Sequence, residues 1–160
     1  MYAKGTKVTE AKTRLELEKV LRSHGATDLS VATSDTNNLI AIAFTIDKSK
    51  PSAPRRVRLI IPLPKQDDFR RGRSWRYNSE SKQKTLCAQA RRERHRVMLL
   101  FLKAKLELIA MGVSTVEREF LADVLLPNGQ TVYQHVQSQI AAAYAGETVQ
   151  KGLLLAAHGE

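Results

Sequence analysis

The spacing of apolar residues changes from helical to strand-like near position 25 and back to helical near position 80. Leu17, Val20, Leu21 and His24 fall at i, i+3, i+4 and i+7, which predicts a short amphipathic helix. Residues 13–16 have the form of a capping box, with Thr13 as N-cap and Glu16 reaching back, and Gly25 offers a left-handed stop. Three strand-like runs follow, at 29–33, 39–46 and 56–63. Turn formers at 34–38 join the first two, and a Lys/Ser/Pro-rich stretch at 47–54 joins the last two, so the runs predict an antiparallel meander. In the third run Val57, Leu59, Ile61 and Leu63 alternate with Arg56, Arg58 and Ile60, giving one apolar and one partly cationic face. Pro62 has no amide hydrogen, which predicts a strand end or a sheet edge.

Residues 64–80 show no apolar period and read as an exposed, mobile loop. A long helix is predicted over 81–111, closed by Gly112. In its second half Val97, Phe101, Ala104, Leu108 and Met111 trace a stripe, flanked by Met98, Leu102 and Ile109, and read as the buried face. Its first half offers only Leu86, Cys87 and Ala90 for packing among Arg91, Arg92, Arg94 and Arg96, so the basic end is expected to project from the core. A capping box at 114–117 opens a short helix, 127–129 marks a turn, and Thr131 caps a last helix whose apolar side is Val132, Val136, Ile140, Ala143 and Tyr144. The pattern defines an α+β fold: a small antiparallel meander of about three strands, packed with one long helix and two or three shorter ones. Residues 1–146 read as a single domain, and 147–160 as a weakly ordered or docking tail.

Charge changes the picture most. The 57 residues from Ser49 to Lys105 hold 17 Lys and Arg against 4 acids, a net +13, while the rest of the chain nets −3. Like charges crowded together repel, so so uneven a distribution points to a polyanionic partner, with nucleic acid the natural one. At 160 residues and 17.9 kDa the chain suits one core. No apolar run approaches the roughly 20 residues that span a bilayer, so no membrane is expected, and the first residues lack the apolar segment of a secretory signal. Cys87 is the sole cysteine, which fits a reducing cytosol. Neither a metal-ligand spacing nor a phosphate-cradling glycine loop is present, so no metal or cofactor is expected.

Single-stranded nucleic acid is held by cations tracking its phosphates and by aromatic rings stacked on its bases. Both kinds of residue meet in Arg70, Arg71, Arg73, Trp75, Arg76 and Tyr77, which continue into Lys82, Lys84, Arg91, Arg92, Arg94 and Arg96. Arg55, Arg56 and Arg58, with Lys48 and Lys50 before them, either extend this track or protect a sheet edge. Anchoring of Trp75 and Tyr77 on the core, with solvated arginines around them, is the competing account. His24 reads as a core or C-terminal capping residue, His95 as a solvated helix position, and Cys87 as a small packing residue. Asp67 and Asp68 read as capping a turn. No acid or nucleophile constellation suggests an enzyme.

The pattern of 101–107, then 112–115 and 117–121, then 126–132 and 142–145, resembles small basic proteins encoded by bacteriophages and prophages. The likeness extends to Gly25-Ala26 and to Pro62-Leu63-Pro64. It implies a mobile element acting in a bacterial cytoplasm, and it brings no catalytic residues. The expected function is therefore non-enzymatic binding of nucleic acid, single-stranded DNA in preference to duplex, by a possible homo-oligomer. The alternative is an interaction module that binds or inhibits an acidic host or phage protein.

Overall fold

The computed structural model describes residues 3–46, 54–72 and 76–145. Lys48, Lys50, Arg73, Trp75 and the tail at 147–160 lie outside these residues. Helix α1 spans Glu10–Ser23, and strands β1, β2 and β3 span Ala26–Ser34, Leu39–Ile46 and Arg55–Pro62. Helix α2 runs over Glu80–Ala110, α3 over Val116–Phe120, and α4 over Val132–Tyr144; single 3-10 turns occupy Gln66–Phe69 and Leu121–Asp123. The three strands form an antiparallel sheet in the order β1-β2-β3, so the α+β meander expected from the sequence is present.

The alternation in β2 explains how the sheet takes its helices. Ile40, Ile42, Phe44 and Ile46 are buried, while Leu39, Ala41, Ala43 and Thr45 between them are only partly covered. Val57 and Leu59 of β3 join the buried face, and Leu17 and Leu21 of α1 pack over it with Met98, Leu99, Leu102 and Leu106 of α2. Phe120 of α3 closes the core against Phe44, edge to face with ring centroids 5.6 Å apart. β3 is an edge strand whose free side carries one isolated bridge, Val57 to Val124, and Pro62 ends it. Positive φ at Asp28 accompanies a register shift between Thr27 and Ser30, a bulge in β1.

Four local expectations are corrected. Helix α1 begins a turn earlier than its capping-box pattern suggested: Thr9 is the N-cap and accepts from the Lys12 amide. Thr13 is buried inside the helix, and its hydroxyl donates to the Thr9 carbonyl. Helix α3 is capped by Thr115 and not by Ser114. Segment 64–80 contains the first 3-10 turn and a small hairpin rather than an unstructured loop. The largest difference lies in α2. Cys87, His95, Met98, Leu99, Leu102 and Leu106 are buried, whereas Val97, Phe101, Ala104, Leu108 and Met111 face outward. The second half of α2 is apolar nearly all round, so helical period alone does not say which side meets the sheet.

Candidate nucleic-acid interface

The path from β3 to α2 is fixed by backbone capping. Leu63 and Pro64 are buried, and the Pro64 carbonyl accepts from the Cys87 thiol at 3.4 Å. The Lys65 amide donates to Asp68 Oδ2 at 2.9 Å, so Asp68 caps the 3-10 turn. The chain then folds back on itself as an antiparallel bridge between Arg71 and Tyr77. Asn78 organises this hairpin: its amide donates to the Arg70 carbonyl and its Nδ2 to the Phe69 carbonyl. Gln83 Nε2, one turn into α2, donates in turn to the Asn78 carbonyl at 2.8 Å. Gly72 donates to the Arg76 carbonyl across the bridge, and a Cβ there would sit 3.3 Å from Asn78 Oδ1.

Bridge partners share a face of the ribbon, and here that face carries a cation and a ring. The Arg71 guanidinium lies over the Tyr77 ring, 5.7 Å from its centroid. Tyr77 is 71% exposed, the opposite of an anchor. Arg70 and Arg76 beside it, and Lys82 in the first turn of α2, are exposed, and their side chains have no ion-pair or hydrogen-bond partner among the described residues. Lys84 pairs with Glu80 at 2.6 Å, which lowers the pKa of that carboxyl through the hydrogen bond and the charge of the ammonium.

The arginines further along α2 have other work. Arg91 donates to Asp35 Oδ1 at 2.6 Å and sits 3.8 Å from Glu10 Oε1, tying α2 to the β1–β2 turn and to α1. Arg96 is bonded to Glu16 of α1. Arg92 donates to Gln89 Oε1, and Arg94 to the Pro62 carbonyl at the end of β3. The basic half of α2 therefore does not project: α1 and the 3-10 turn pack against it. His95, read as solvated from its arginine neighbours, is buried against α1, with Nδ1 2.8 Å from the Arg91 carbonyl and Nε2 3.5 Å from Glu10 Oε2. His24 caps α1, its Nδ1 2.8 Å from the Val20 carbonyl. Burial raises the Cys87 thiol pKa and outweighs the opposing pull of Arg91, which suits a packing residue.

Strand β3 carries a separate cationic group. Arg55 opens the strand half-buried and engaged, and Arg56 is exposed. Arg58, on the same face of the strand as Arg56, donates to the Gly129 carbonyl at 3.0 Å and to Gln134 Oε1 at 3.2 Å, so it holds the start of α4. A shallow cavity of about 340 Å³ opens there between Arg58, Ile60, Asp123, Tyr133 and Gln137. Burial raises the Asp123 carboxyl pKa, partly opposed by Lys105. From Arg56 to Pro62 the strand runs about 20 Å, so this group lies well away from the hairpin.

The residues that sequence reasoning placed on one track thus divide into three sets: an exposed hairpin set, a set pinned inside the fold, and a β3 set. Asn78 was the residue missed; its place between Tyr77 and the Ser79 cap was the available signal. Among the described residues no group of His, Cys, Asp and Glu could hold a metal ion, and no helix is long and apolar enough to cross a membrane. Compared with known proteins, the chain matches no family model, and no curated protein or solved structure shows significant similarity to it. The functional reading rests on the residues themselves.

Proposed function

We propose that this is a non-enzymatic nucleic-acid-binding protein of a phage or mobile element, which holds single-stranded DNA on the hairpin at 70–78 and the first turn of α2. The exposed Tyr77 ring under the Arg71 guanidinium, flanked by Arg70, Arg76 and Lys82, carries the reading. A base stacks on the open part of that ring while the cations meet the flanking phosphates, and Trp75, between Arg73 and Arg76 in the sequence, is a second stacking candidate. Arg91 and Arg96 hold the platform in place and do not grip the ligand. An acidic protein partner would meet the same cations, but its carboxylates would not stack on the ring as a base does.

Fluorescence anisotropy with labelled single-stranded and duplex DNA of equal length, at low and near-physiological salt, tests this. The expected result is tighter binding of the single strand, with log K falling against log salt by about 0.7 for each phosphate neutralised. Tyr77→Ala should weaken it by roughly 1–3 kcal/mol. Absence of binding at low salt would refute the proposal and favour a protein partner; equal binding to both forms, indifferent to Tyr77→Ala, would reduce it to a backbone binder.

A further inference from the structure

Helix α2 has two apolar faces, and the described residues bury only one of them. Val97, Phe101, Ala104, Leu108 and Met111 are spaced 4-3-4-3 along the helix and are all exposed, with Val97 at 39%, Phe101 at 46%, Leu108 at 39% and Met111 at 72%. Val113, just beyond the helix, adds to the patch at 62%. On the flank of this stripe the Lys105 ammonium lies 4.8 Å from the Phe101 ring centroid, and at its start Val97 borders a shallow pocket with Pro64 and Arg94. The stripe amounts to roughly 500 Å² of apolar surface, near the upper end of what a monomer ordinarily exposes in one patch.

We infer that this face of α2 pairs with the same face of a second copy of the chain, the two helices running antiparallel about a two-fold axis at Ala104. Three observations select this occupant. A 4-3-4-3 spacing averages 3.5 residues, the period that keeps a seam facing another helix lying alongside at a shallow angle. A sheet edge or a polyanion has no such requirement. The stripe is also nearly symmetric about its smallest member. Val97 and Met111 each lie seven residues from Ala104, and Phe101 and Leu108 lie three and four away, so a two-fold axis there matches the patch to itself.

Charge then decides the direction. Arg91, Arg92, Arg94 and Arg96 all precede the stripe. A parallel pair would set these clusters side by side. An antiparallel pair brings exposed Arg94 opposite Ser114 of the other copy, just past the C-terminal end of its α2, where carbonyl dipoles favour a cation. The pair would bury about 1,000 Å² in total, the lower bound for a specific interface, so dimerisation should depend on concentration in the micromolar range. This inference is independent of what the hairpin binds.

Sedimentation equilibrium of the full chain at up to about 100 µM provides the first test. A mass twice 17.9 kDa is expected. The Phe101→Glu/Leu108→Glu variant should be monomeric with an unchanged circular dichroism spectrum, since both side chains are exposed in the single chain. A wild-type monomer at that concentration overturns the inference, as does a dimer that survives both glutamates. A monomer whose Met111 nonetheless resists peroxide overturns it in favour of residues 146–160 of the same chain as the cover. Direction is read by cysteine crosslinking. Mixed Val97→Cys and Met111→Cys proteins should join to each other, whereas efficient joining of Val97→Cys to itself would overturn the antiparallel arrangement.

Discussion

Replacing Arg91 by methionine separates the structural arginines of α2 from those proposed to meet DNA. The Arg91 side chain is only 19% exposed, and its guanidinium bonds Asp35 at 2.6 Å while standing 3.8 Å from Glu10. Methionine keeps the apolar stem and removes the charge. A charge-assisted hydrogen bond contributes about 1.5–3 kcal/mol where it is sheltered. Asp35 is open to water, which screens its share, so the expected loss is about 1–2 kcal/mol. For a chain of this size that lowers Tm by roughly 3–8 °C. Arg70→Met and Arg76→Met, whose side chains have no partner among the described residues, should stay within about 0.5 kcal/mol of wild type. Urea denaturation followed by far-ultraviolet circular dichroism measures all three, and an unchanged m-value shows that the same surface is exposed on unfolding. The DNA affinities should fall in the reverse order, with Arg70→Met and Arg76→Met weakened and the folded Arg91→Met close to wild type. If Arg91→Met were as stable as wild type but failed to bind DNA, the division of the arginines would be wrong.

Two further outcomes follow from the same contacts. Phe120 is fully buried edge-on to Phe44 and lies under the Lys105 ammonium, so Phe120→Ala should cost about 3–5 kcal/mol in thermal or urea unfolding; a loss below about 1 kcal/mol would show that the core closes without α3. Hydrogen bonds from Gln89 and from the Gly5 amide hold the Glu93 carboxyl below its usual pKa of 4.5, so the stability it provides is complete above that pH and is lost as pH falls through the depressed value. Protease sensitivity of residues 3–9 should therefore rise on acidification in the wild type and respond much less to pH in Glu93→Gln.

The strands and the ends of α2 were legible in the sequence because each rests on local rules. Alternation in β2 and β3 declares a half-buried strand, and Gly112, at positive φ, closes α2 as its place after the last apolar residues suggests. The start of α1 was misread because Thr13 and Glu16 carry the capping-box spacing while the actual cap, Thr9, has Lys12 at the corresponding place. Burial of His95 and the pinning of Arg91 and Arg96 were not legible. Their partners Glu10, Asp35 and Glu16 lie 56 to 85 residues away along the chain, and no local period encodes such a meeting. The exposure of Arg70, Arg71, Arg76 and Tyr77 was legible because they fall in an apolar-poor stretch, but their separation from Arg56 and Arg58 needed the sheet.

From Glu80 to Ala110, α2 contains neither glycine nor proline, and 31 residues of continuous helix make a rod about 46 Å long. The eight-residue strands beneath it extend only about 26 Å. Gln83 clips the hairpin to the first turn of this rod, so a load applied at Tyr77 passes into a stiff beam rather than a hinge. In the inferred antiparallel pair two such beams would overlap about Ala104, with the hairpins at opposite ends, roughly 75 Å apart. The length of α2 would then set the spacing at which two stretches of a strand can be held.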